Sequence, residues 1–91
     1  MIKGSGNVFV DLGFSPAESH NVRLRSQMLT ALSDHIEKRG WTQAEAAKRL
    51  NVSQPRISDL VRGKISRFSM DTLVTMLTEA GLAVDVRIRA A

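Results

Sequence analysis

Residues 42–63 carry the punctuation of two short helices joined by a sharp bend, and this constrains the chain more than any other feature. Thr42 can cap the amide of Glu45 while the Glu45 carboxylate reaches back, and Trp41 can staple onto Ala46. A helix therefore opens at Gln43 and runs to about Leu50. Asn51 follows, and asparagine tolerates the left-handed backbone that a tight turn demands. Ser53 is a second N-cap, and Pro55 falls in the first turn of the next helix, where a missing amide proton costs little. That helix stops near Arg62, with Gly63 just past its end. Ala47 is small enough to let the second helix approach the first, while Val52, Ile57, Leu60 and Val61 bury the inner side. The pattern, about residues 43–62, is that of a helix-turn-helix.

The flanking chain supplies the remaining elements. Leu24, Met28, Ala31, Leu32 and Ile36 recur on one face of a long helix from Pro16 to Arg39, ended by Gly40. His35 lies on the same stripe and reads as a packed or boundary histidine. Ser69 caps a last helix whose Leu73, Val74, Met76, Leu77 and Ala80 form one arc, closed by Gly81. The tail then alternates strictly, with Leu82, Val84, Val86 and Ile88 on one side, which is a strand pattern. A lone strand leaves its backbone donors and acceptors unpaired, and Val8-Phe9-Val10 is the only other β-prone run. Pairing with a second copy is expected, centred on Val86 so that Asp85 faces the partner's Arg87. Pairing with residues 8–10, or edge addition to another protein, is the alternative. The organisation expected is an extended segment over 1–15, a helical domain over 16–81 and a dimerisation strand over 82–91.

Ninety-one residues suffice for one modest core, without a separate catalytic or ligand-sensing domain. No apolar run approaches the roughly 20 residues that cross a bilayer, and residues 1–7 lack the apolar core of a secretory signal. The absence of cysteine fits a cytoplasmic protein. No nucleophile and base stand in a recognisable arrangement and no metal-ligand spacing occurs, so neither catalysis nor a cofactor, metal or small-molecule ligand is expected. The net charge is +4, and its excess is local: residues 41–67 hold six Lys or Arg against two Asp or Glu. A basic middle third points to a polyanion.

With Ile57, Leu60 and Val61 turned inward, the second helix of the motif presents Gln54, Pro55, Ser58, Asp59 and Arg62, with Arg56 at its flank. Arg56 sits where the positive end of the helix dipole disfavours a cation by about 0.3–1 kcal/mol. Two readings follow: its guanidinium makes paired hydrogen bonds to guanine O6 and N7, as Gln54 can to adenine, or it pairs with Asp59 one turn on. Pro55 either packs on a thymine methyl or only stiffens the turn. Ser53, besides capping, lies at the same end. Gln43 opens the preceding helix, whose amides suit a phosphate oxygen, and Lys64 and Arg67 follow the recognition helix in position to meet the backbone. Arg62 can serve the groove or its own helix dipole, whereas Lys48 and Arg49 read as solvated charges.

The strings Thr42-Gln43-Ala44-Glu45-Ala46-Ala47, Val52-Ser53-Gln54-Pro55-Arg56-Ile57-Ser58-Asp59-Leu60 and Arg62-Gly63-Lys64 resemble the xenobiotic-response-element (XRE) family, which includes the lambda-type phage repressors. In that resemblance Gln43 and Gln54 match the glutamines that open the two motif helices, the second a base reader. Asn51 stands where the family usually has glycine, and Pro55 where the phage repressors have a polar residue, so their base contact there does not transfer. The resemblance implies a mainly α, five-helix, lambda-repressor-like bundle whose C-terminal strand pairs across a dimer. A narrower likeness, through Gly6-Asn7-Val8-Phe9-Val10-Asp11-Leu12-Gly13, Arg67-Phe68-Ser69 and Val84-Asp85-Val86-Arg87-Ile88, is to the HigA-like antitoxin branch. That likeness implies repression at a palindromic operator in double-stranded DNA and neutralisation of a RelE/HigB-like toxin.

Overall fold

The computed structural model describes residues 15–90. Helix α1 spans Pro16–Arg39, α2 Gln43–Leu50, α3 Gln54–Val61 and α4 Met70–Glu79, with a 3-10 turn at Ile65–Arg67 between α3 and α4. Among the described residues there are thus four α-helices rather than five, and no strand. The expectations placed on residues 1–14, including the β-prone run at Val8-Phe9-Val10, lie outside the described residues.

Helix α1 starts where Ser15, in extended conformation, closes a full capping box with Glu18. The Ser15 hydroxyl accepts from the Glu18 amide at 3.1 Å, and the Glu18 carboxylate accepts from the Ser15 amide at 2.9 Å. Hydrogen bonding to the carboxylate from the Ser15 backbone amide, and then from the Ser15 side chain, holds the Glu18 carboxyl below its ordinary range. Gly40, at φ 69°, ends the helix. The inward line of α1 differs from the expected stripe: Leu29, Leu32 and Ile36 are buried, Leu24 and Met28 are only half-buried, and Ala31 is exposed. Helix α4 and the 3-10 turn both pack against α1. Arg25, four residues before Leu29, falls on this inward line.

The core closes when α1 packs on α4 and α2 packs on α3. Leu32, Leu50, Ile57, Leu60, Phe68, Leu73 and Met76 are its fully buried large side chains. Ala46 and Ala47 are buried at the α2–α3 contact, where larger side chains would hold the helices apart. Two further expected core positions are exposed instead. Val61 retains 41% of its surface because the chain turns back after α3 and Ile65 and Phe68 take the remaining core positions. Val74 retains 37%, lying off the Leu73, Met76 and Leu77 line.

Leu82 folds back onto the core through its amide, which donates to the Leu77 carbonyl at 2.9 Å. Beyond it, residues 83–90 are exposed, with Val86 at 79% and Ile88 at 90%. The expected C-terminal strand is therefore absent from the single chain, since a strand exists only against a ladder and no described residue provides one. Among the described residues no helix is long and apolar enough to cross a membrane.

Asn51 caps α2 at φ 58° and ψ 45°, the only non-glycine residue at positive φ among those described. Asn51→Ala should cost about 1–2 kcal/mol, because alanine lacks asparagine's tolerance for the left-handed region, while Asn51→Gly should be close to neutral. Urea unfolding of both variants checks this; equal losses would place the cost in side-chain contacts rather than backbone conformation.

Candidate nucleic-acid interface

The left-handed residue Asn51 bends the chain between α2 and α3, and the Val52 amide donates to the Ala47 carbonyl at 3.0 Å across the turn. Val52 packs half-buried against the core. Ser53 then caps α3, its hydroxyl accepting from the Arg56 amide at 3.3 Å. With Ile57 and Leu60 wholly buried, α3 has one inward line and one outward face. Gln54 and Pro55 are exposed at its N-terminal end, and Ser58 and Asp59 are half-buried along its flank. Arg62 is exposed at the C-cap, and Gly63 takes φ 74° to turn the chain.

Gln43 is exposed as the first residue of α2. The preceding cap is half of the expected box: the Thr42 hydroxyl accepts from the Glu45 amide at 3.1 Å, but the Glu45 carboxylate accepts from Arg49 Nε at 2.6 Å instead of reaching back. Arg49 also lies over the Trp41 ring, 4.8 Å from its centroid, so it is not the simple solvated charge expected. Arg39 approaches the same ring at 5.8 Å, and His35 meets it edge to face at 5.5 Å, which makes His35 a packed side chain.

Arg56 has partners within the chain. Its Nη1 donates to the Arg67 carbonyl at 2.8 Å, and its guanidinium lies over the Phe68 ring, 5.1 Å from the centroid. The ion pair expected between Arg56 and Asp59 is replaced by others. Asp59 Oδ2 takes Arg67 at 3.2 Å, and Oδ1 takes Lys64 at 3.8 Å. A second arginine reaches the same stretch of chain from α1: Arg25 Nη1 donates to the carbonyls of Ile65 at 3.2 Å and Phe68 at 3.1 Å, while its Nε donates to Asn21 Oδ1 at 2.6 Å.

The geometry therefore sorts the expected site residues into groups. Gln54 and Pro55 stand exposed at one end of α3, and Lys64 and Arg67 are gathered on its Asp59 flank. Arg56 ties α3 to residues 67 and 68. Arg25 and Phe68 were not singled out from sequence. The available signals were the spacing of Arg25 on the Leu29 line and a lone aromatic residue directly after a basic loop.

Residues 8–89 match a family model described as a helix-turn-helix domain, a span that takes in all four helices and most of the tail. No curated protein matches the chain.

Proposed function

The chain belongs to this helix-turn-helix domain family, whose fold marks a DNA-binding regulator, and on that premise we propose a sequence-specific repressor acting as a homodimer on a palindromic operator. The observation that carries the reading is the division of α3: a fully buried line at Ile57 and Leu60 behind an exposed end at Gln54 and Pro55. A helix held from behind in this way can enter a major groove without rearrangement. Gln54 has the donor and acceptor that match adenine N7 and N6, Pro55 has an apolar face for a thymine methyl, and Ser58 lines the flank. Gln43, Ser53, Arg62, Lys64 and Arg67 meet the phosphates, adding affinity without sequence information. Such a protein works in the cytoplasm.

Fluorescence anisotropy with a duplex from upstream of the reading frame, and with a random duplex of equal length, tests this. Binding should fall steeply with salt for both. Gln54→Ala should lose about 1–3 kcal/mol on the upstream duplex and little on the random one. A chain that binds neither duplex at low salt is not a repressor.

Dimerisation falls to residues 82–89. Their exposed apolar side, Val84, Val86 and Ile88, needs a ladder, and a two-fold pair centred on Val86 sets Asp85 against the partner's Arg87. One recognition helix reads only a few base pairs, so two copies about 34 Å apart supply the rest. Asp85→Arg should weaken the dimer in sedimentation equilibrium, and adding Arg87→Asp should restore it. A charge swap without recovery would refute the register.

The resemblance to HigA-like antitoxins carries the finer reading: the repressor controls its own operon and neutralises a RelE/HigB-like ribonuclease. Co-expression with the product of the adjacent reading frame should yield a co-purifying complex and relieve the translation arrest that product causes alone. An adjacent product that is harmless and does not bind would leave a stand-alone XRE-type repressor.

A further inference from the structure

Residues 64–68 leave α3 on its Asp59 flank, and the protein grips this loop from behind at three carbonyls. The Ile65 and Phe68 carbonyls accept from Arg25 on α1, and the Arg67 carbonyl accepts from Arg56 on α3. The Phe68 ring, 1% exposed, anchors the end of the loop in the core and carries the Arg56 guanidinium on its face. Carbonyl oxygens would repel a phosphate, and here each of these three is turned onto a guanidinium. Meanwhile Ser66 and Arg67 are exposed, Lys64 is half-buried, and Asp59 gathers the Lys64 and Arg67 cations to one place.

We propose that Arg25 and Arg56 are positioning residues for a phosphate-contacting loop at residues 64–68, and that Arg56 itself reads no base. The inference rests on the DNA-binding reading above. To reach a guanine edge, Arg56 would have to leave the Phe68 ring and release the Arg67 carbonyl, undoing the loop that sets Lys64 and Arg67 on the backbone. Arg25 lies behind the same loop and acts on DNA only through it.

The test uses the full chain, the upstream and random duplexes, and a salt series. Arg56→Ala should weaken binding to both duplexes by one common factor of about tenfold, and the slope of log affinity against log salt should flatten by about 1–2 as the loop contacts are lost. In a Lys64→Ala/Arg67→Ala background the same change should cost less than about twofold, because the contacts it positions are already gone. Arg25→Lys, which keeps the charge but loses the Nε that braces the side chain on Asn21 while Nη1 serves the two carbonyls, should flatten the slope likewise. Far-UV circular dichroism at the assay temperature confirms folding, and Arg56→Met, which keeps a side chain against Phe68, replaces Arg56→Ala if the latter unfolds. A loss confined to the upstream duplex, or one that stays fully additive in the double-variant background, would show Arg56 touching DNA directly and overturn the inference alone. So would a fall in melting temperature with affinity and slope unchanged, which marks a purely structural role. An unmodified chain with no salt-dependent binding overturns the DNA reading, and the inference falls with it.

Discussion

Burial of Ile57 and Leu60 is the constraint on which the outward face of α3 depends. Both side chains are wholly withdrawn from solvent, and each contributes roughly 1.5–3 kcal/mol of transfer free energy. Helix α3 has eight residues, a length at which an isolated helix is marginal in water. Its existence and its orientation therefore come from the same contacts. Ala46 and Ala47 allow the close approach from α2, and α1 and Phe68 complete the surround. Gln54 and Pro55 are held in place by residues on the other side of the helix, so the outward face can vary in chemistry without the fold being renegotiated.

A second restraint holds the exit from α3, and it is polar. Arg25 is partly buried, and its guanidinium finds three acceptors, Asn21 Oδ1 and two loop carbonyls, that offset its desolvation. Hydrogen bonds to a charged group are worth about 1.5–3 kcal/mol each, and the planar guanidinium lets Nε hold Asn21 while Nη1 serves the two carbonyls. The ion pairs of Asp59 with Lys64 and Arg67 are different in kind. Arg67 remains 57% exposed, and surface pairs of this sort add about 0–1 kcal/mol to stability. Their consequence is geometric: two flexible cations are confined to one flank of α3.

Local chemistry was legible in the sequence and long-range pairing was not. Thr42, Ser53 and Ser69 cap the helices they were expected to cap, and Asn51 takes the left-handed turn, because a cap or turn depends on residues within three or four positions. The buried side of α1 required knowing where α4 and the 3-10 turn would approach, and a charged residue, Arg25, on the true inward line disguised it. The bond from Arg56 to a carbonyl eleven residues on leaves no trace in helical spacing, where Asp59 was the visible partner. The tail shows its alternation plainly, but a strand is a property of two segments, and sequence names only one.

The charge excess of residues 41–67 takes on a more specific meaning once these partners are known. Of its six cations, Arg49 is paired with Glu45, Lys64 and Arg67 with Asp59, and Arg56 is held by a carbonyl and a ring. Pairing does not reduce the net charge, so an approaching polyanion meets the same summed attraction, felt out to a Debye length of about 8 Å and largely screened beyond it. Within that distance the partners decide where each cation stands. Encounter is governed by the sum of the charges and fit by their arrangement, and a chain can keep its attraction for any duplex while restricting the poses in which its cations meet phosphate.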